Sequence, residues 1–154
     1  MNVSAGLSDL AVLTHDDCMH RLVRGCVGRV GFVHDERPEV LPVNYAADAD
    51  GRVVFRAGPN SVLRGVVGQP VVFEVDGADA SRRSGWSVCV HGSGLEITDA
   101  DDPLASQLRK LPVITWAPGR RDRWFAVVPA AVTGRELPIS VTGDEGWFPG
   151  VPAS

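Results

Sequence analysis

The sequence predicts a mainly β domain with a few short helices, its antiparallel strands closing into a small barrel. Three observations lead there. Gly (17) and Pro (11) together account for 28 of the 154 residues. That is dense enough in turn-formers to oppose a helix bundle, and below the roughly 25–30% at which low-complexity disorder takes over. Hydrophobic residues make up 44% of the chain, an ordinary share for a protein that buries a core. Short Val-rich runs then alternate with turn signals along most of the length. Closing such strands on themselves removes the edges they would otherwise expose.

Taken in order, Thr14 before His15-Asp16-Asp17 is an N-cap followed by acids that suit the helix dipole. Cys18, Leu22 and Cys26, with Met19 and Val23, recur at helical spacing, so residues 15–25 form a short amphipathic helix with Gly25 near its stop. Val27 to His34 is a strand, Asp35-Glu36-Arg37-Pro38 a turn, and Glu39 to Ala47 the return strand. Asp48-Ala49-Asp50-Gly51 is a hairpin turn whose Asp-Gly pair supplies positive φ, and Arg52 to Ala57 completes a three-stranded meander. Gly58-Pro59-Asn60-Ser61 breaks that strand and offers Asn60 or Ser61 as the cap of a short helix ending at Gly68. Pro70 to Asp76 is a fourth strand, and Asp76 to Ser84 a polar loop holding Arg82 and Arg83. Trp86 to Ile97 is a long strand in which Gly92 and Gly94 predict a bulge or bend. Asp101-Asp102-Pro103 opens a helix to about Lys110, with Pro near N1. A loop through Trp116-Ala117-Pro118-Gly119 leads to a last pair of strands, Arg123–Val128 and Ala131–Leu137. The whole is expected to be one domain over 1–154, with an irregular lead-in (1–13) and an irregular tail (138–154).

Charge and cysteine content narrow the partners. The net charge is −4 and the pI about 5.5, with no basic stripe, so nucleic acid is not an expected partner. Met1 to Gly6 lacks the basic and apolar regions of a signal peptide, and no apolar run nears the ~18 residues that cross a bilayer. Cys18, Cys26 and Cys89 follow no disulfide framework, which points to the cytoplasm. Fourteen of the fifteen basic residues are Arg, a bias that carries no functional weight.

Familiar chemistry is missing. His15 and His20 are five apart and on different helix faces, no HExxH is present, and Cys89 with His91 is too small a set for a metal. There is no GxSxG, P-loop or GxGxxG. Asp16-Asp17 and Asp101-Asp102 are explained by helix capping. Two polar residues stand out, because Asn44 sits mid-strand, where Asn is depleted, and Arg56 interrupts an apolar strand. Both point to a ligand or interface role.

The ordered segments Pro42-Val43-Asn44-Tyr45, Phe55-Arg56-Ala57, Asn60-Ser61-Val62-Leu63, Gly85-Trp86-Ser87-Val88 and Trp124 resemble the pyridoxamine 5′-phosphate oxidase-like family, the FMN-binding split β-barrels. The resemblance runs from the helix at residue 15 to Val132-Thr133-Gly134-Arg135. It implies an antiparallel split barrel and a homodimer with two flavin sites at its interface. By the same resemblance Pro42, Val43, Asn44 and Tyr45 flank the isoalloxazine, and Phe55, Arg56 and Ala57 run beside the ribityl chain. Ser61 and the amides after it, Leu63 included, meet the phosphate, while Trp86, Ser87 and Trp124 line the ring or the dimer wall. One position departs: Val62 stands where similar members carry a lysine. The missing ammonium is worth roughly 1.5–3 kcal/mol, so weak FMN binding is expected, with Arg56 or Arg64 as substitutes. Arg120, Arg121 and Arg123 form a positive cluster, either a solvated loop or a phosphate contact from the partner subunit.

The function implied is a flavin- or deazaflavin-dependent oxidoreductase on a small molecule, with no side chain marked as general acid or base. A non-catalytic dimer that carries or senses flavin, deazaflavin or haem, or has lost its cofactor, is the alternative. A monomeric barrel acting as an interaction module is a third.

Overall fold

The computed structural model describes residues 11–98 and 101–137; the predicted irregular tail lies outside them. Among these residues the strands are β1 (Ala11–Val12), β2 (Val27–His34), β3 (Arg37–Ala47), β4 (Val53–Ala57), β5 (Pro70–Asp79), β6 (Ser84–Glu96) and β7 (Arg123–Leu137). The helices are α1 (His15–Arg24) and α2 (Pro103–Leu108), with a 3-10 turn over Val62–Val66. All ladders between strands are antiparallel, in the order β1-β7-β4-β3-β2-β5-β6, and β6 pairs back onto β7. The sheet is therefore a closed barrel, as expected.

The core fills from both ends. Val30, Phe55, Phe73, Val90 and Phe125 pack inside the barrel, joined by Cys18 and Leu22 of α1 at one end and by Leu63 and Val66 of the 3-10 turn at the other. Thr14 caps α1 by accepting from the Asp17 N–H at 3.2 Å. Tyr45 ties α1 to the sheet, its hydroxyl donating to the Leu22 carbonyl at 2.6 Å. A second apolar cluster lies on the outer face of β3, β4 and β7. There Ala46, Val54 and Ala126 are covered by Ile97, Leu108 and Val113.

Several boundaries differ from the sequence expectation. Ala11–Val12, inside the expected lead-in, pairs with Arg135 and Glu136 as β1. The β2–β3 turn is only Asp35 and Glu36, at φ 48° and 62°, so β3 begins at Arg37 and includes Pro38. Positive φ at both central residues is what a two-residue hairpin needs. The loop expected over 76–84 shrinks because β5 runs to Asp79. The Asp79 carboxylate closes the turn by accepting from the Ser81 and Arg82 N–H groups. The expected final strand pair is one continuous β7. His91 faces Ala131 and Gly92 faces Pro129, so Ala130 is the extra residue of a bulge that absorbs Pro129 without ending the strand. α2 is shorter than expected, with Asp102 as its cap and Pro103 in its first turn.

Candidate cofactor site

β3 is where the barrel splits. It pairs with β2 from Arg37 to Asn44 but with β4 only from Tyr45 to Ala47. Among the described residues, the β4-facing edge from Arg37 to Pro42 has no strand beside it. The Tyr45 N–H donates to the Cys26 carbonyl on the β2 side. Backbone groups alternate along a strand, so those of Pro38, Pro42 and Asn44 turn the other way, toward the β4 side. The two prolines thus lack an N–H where no ladder bond is lost. The Pro42 carbonyl is directed into the split, whereas the Asn44 carbonyl lies opposite Arg56 and is taken up by the β3–β4 ladder.

Asn44, Arg56 and Trp124 follow one another across the outer face. Arg56 pairs with Trp124 between β4 and β7, and Asn44 lies one step beyond the Tyr45–Phe55 pair. The Arg56 guanidinium sits 4.9 Å from the centre of the Trp124 ring, and Trp124 packs against the outer apolar cluster. The chain between α2 and β7 crosses this row. The Trp116 N–H donates to Asn44 Oδ1 at 2.8 Å, and Arg56 Nε donates to the Arg121 carbonyl at 2.9 Å. Asn44 Nδ2 also reaches the Cys26 carbonyl at 3.4 Å. Farther on, Arg123 holds Glu96 through two bonds of 2.7 and 2.6 Å and reaches the Pro59 carbonyl at 3.3 Å. The arginine cluster is thereby set against the Gly58–Ser61 turn of its own chain. A Cβ on Gly58 would come within 3.1 Å of the Arg120 carbonyl.

The other sequence-selected residues divide in two. The side chains of Val43, Tyr45, Phe55, Ala57 and Leu63 are buried in the barrel core, so only their backbone groups are available to a ligand. Pro42 is exposed, and Ser61 caps the 3-10 turn by accepting from the Leu63 N–H at 3.2 Å. Trp86 and Ser87 are elsewhere. Ser87 is three strands from Asn44, across β2 and β5, or about 14 Å at roughly 4.8 Å per strand. Trp86 packs on the inner core beneath Arg21, whose guanidinium lies 4.8 Å from the indole and whose Nη2 bonds Glu136 at 3.1 Å. A groove of about 430 Å³ opens there, bordered by Arg21, Arg24, Cys26, Val75 and Trp86.

Trp116 is the residue that sequence reasoning missed. It is 68% exposed although its backbone is pinned to Asn44. Exposure of an indole leaves no mark in a single sequence; the only local signal is the Pro- and Gly-rich stretch around it.

The shifted carboxyls, thiols and phenol lie outside the Asn44–Arg56–Trp124 row. Burial pushes the Tyr45 hydroxyl far up, and burial likewise raises the Cys18 and Cys89 thiols. The bonds from Arg123 hold the Glu96 carboxyl below its usual range. The row, an amide, a cation and an indole, can bind and orient a ligand.

A family model described as pyridoxamine 5′-phosphate oxidase matches residues 14–136. The uncharacterized protein Rv0080 of Mycobacterium tuberculosis is 33% identical over 135 residues, 82% of this chain and 84% of that protein. Among solved structures, an FAD binding protein from Mycobacterium smegmatis is 26% identical with a TM-score of 0.65, covering 82% of this chain and 98% of that one. An FAD and heme binding protein from the same organism shares the fold at 15% identity and TM-score 0.60, covering 93% and 77%. The chain belongs to the pyridoxamine 5′-phosphate oxidase family and has the fold of its flavin-binding split barrels.

Proposed function

We propose that this protein is a homodimeric flavin-dependent oxidoreductase acting on a small molecule in the cytoplasm. The observation that carries the reading is the open β3 edge that ends at Pro42, flanked by the Arg56 cation, in a chain of this family. The residues present fit a flavin. A heterocycle with an N–H on its polar edge can donate to a strand carbonyl, and that of Pro42 faces the split. A phosphate needs cations, and the arginine-rich segment lies against the Gly58–Ser61 turn through the Arg120 backbone and the Arg123 guanidinium. When bound, the flavin supplies hydride transfer, and the protein contributes binding, orientation and tuning of the ring. Here Pro42 would hold the ring edge, Arg56 and Ala57 would flank the ribityl chain, and the arginines would neutralise the phosphate. FMN and FAD share all of these parts, and FAD is what the 26%-identical relative binds.

Two features support the dimer. Ser87 lies too far from Asn44 for one chain to bring both to one ring. A groove of about 720 Å³ also opens at β2, β3 and β5, bordered by Phe32, Val33, Val40, Val71 and Val72, with Val40 63% exposed. Free thiols at Cys18, Cys26 and Cys89 suit a reducing compartment. A non-catalytic carrier is the second reading, favoured by Val62 where similar members carry a lysine.

Titration with FMN, FAD, deazaflavin and haem, followed by absorbance and fluorescence quenching, tests the proposal alongside sedimentation. Flavin binding by a dimer, with acceptor reduction driven by a nicotinamide donor, is the expected result. Haem alone would favour the carrier, and no ligand at tens of micromolar would refute both readings.

A further inference from the structure

We infer that residues 114–122 form a strap over the cofactor site, that Asn44 and Arg56 are positioning residues holding this strap, and that Trp116 is its stacking residue for a flat ring with an anionic tail. The inference rests on the flavin reading above. Three observations converge on it.

First, both polar residues that interrupt strands are committed to this one segment. Asn44 Oδ1 accepts from the Trp116 N–H at 2.8 Å, and Arg56 Nε donates to the Arg121 carbonyl at 2.9 Å. Two anchors five residues apart fix the backbone of a segment that has no regular secondary structure. Second, the segment displays apolar surface instead of burying it. Val113 enters the outer core, yet Ile114 and Trp116 are 72% and 68% exposed. Large apolar side chains left in water on a pinned backbone mark a contact surface. Third, the electrostatics select the occupant. Arg120 is paired only with Asp122, the Arg121 guanidinium has no partner among the described residues, and Arg56 lies alongside, in a chain whose net charge is −4. A local positive field around an exposed indole suits a planar ring whose tail bears negative charge.

Flavin titration of Trp116→Ala, Asn44→Ala and the double variant tests this, together with amide hydrogen exchange on the ligand-free protein. Trp116→Ala should weaken binding roughly tenfold, and Trp116→Phe should retain most of it. Asn44→Ala should weaken binding comparably, and the double variant should be no worse than the weaker single one, because both act through the strap. In the ligand-free protein Asn44→Ala should speed exchange of the Trp116 amide, and Asn44→Asp, which keeps the acceptor, should restore protection. Unchanged exchange in Asn44→Ala, full affinity in Trp116→Ala, multiplicative losses, or a Trp116→Ala effect on dimerisation alone would each overturn the inference. If the wild-type protein binds flavin and Trp116→Ala binds it equally well, the strap fails and the flavin reading stands. If the wild-type protein binds no flavin, the flavin reading itself has failed and the strap falls with it.

Discussion

The hold of α1 on the barrel depends on one buried phenol, and its removal can be worked out from the contacts. Tyr45 is 3% exposed, its ring centre lies 4.5 Å from that of Phe73, and its hydroxyl donates to Leu22 O at 2.6 Å. Leu22 is in the last turn of α1, where carbonyls have no intrahelical donor. Tyr45→Phe keeps the ring and leaves that carbonyl unsatisfied, a loss of about 1–3 kcal/mol. At ~2–4 °C per kcal/mol for a domain of this size, Tm should fall by roughly 2–12 °C. Gly25 explains how the phenol reaches the helix. A Cβ there would collide with the Tyr45 hydroxyl oxygen and come within 3.0 Å of Cζ. Gly25→Ala should therefore be at least as damaging as Tyr45→Phe, because it both overpacks the contact and breaks the bond. The double variant removes the atom that clashes, so its loss should fall short of the sum by about 1 kcal/mol or more. Urea unfolding of the four proteins, followed by circular dichroism, measures this. Additivity within about 0.5 kcal/mol, or a neutral Tyr45→Phe, would refute the reasoning.

Two further predictions follow from the site's surroundings. Arg123 depresses the Glu96 carboxyl, so this pair contributes stability above the unfolded-state value of about 4.3 and loses it as pH falls through the lower folded value. Glu96→Gln should be less stable than wild type at pH 7, with the gap closing below about pH 4; a gap that does not change with pH would contradict the pairing. Val62 is 43% exposed beside Ser61, so Val62→Lys should fold normally. It should tighten flavin binding about tenfold to a hundredfold if the phosphate sits there, and unchanged affinity would remove the phosphate from that turn.

What the sequence made legible was local. The Thr14 cap and the Asp48–Gly51 turn each depend on residues within a few positions, and each is present, whereas the irregularity expected at Gly92 falls on the partner strand, where Ala130 is the extra residue. Closure was legible only as a consequence of Val-rich strands needing partners; that β7 meets both β4 and β6 depends on contacts between distant segments. The split left a trace that was readable but went unread. Pro38 and Pro42 are an even number of residues apart in one strand, so both missing N–H groups fall on the same edge. That edge proves to be the unpaired one. Reading Pro38 as part of a turn concealed it.

The site was legible as an anomaly rather than as a geometry. Asn44 and Arg56 were conspicuous because strands disfavour them, and each does have a specific partner. A sequence cannot say whether such a partner is a ligand or the chain itself. Here both side chains spend hydrogen bonds on the segment between α2 and β7, which changes what their substitution would mean. Loss of flavin affinity in Asn44→Ala would not by itself make Asn44 a ligand contact, since moving Trp116 would have the same effect. Only the coupling between the two positions separates these accounts. The same logic applies across the barrel. Trp86 and Ser87 lie strands away from this row, so any ring that touches both sets requires a second copy of the chain, and a variant of Ser87 should then act on the site of its neighbour.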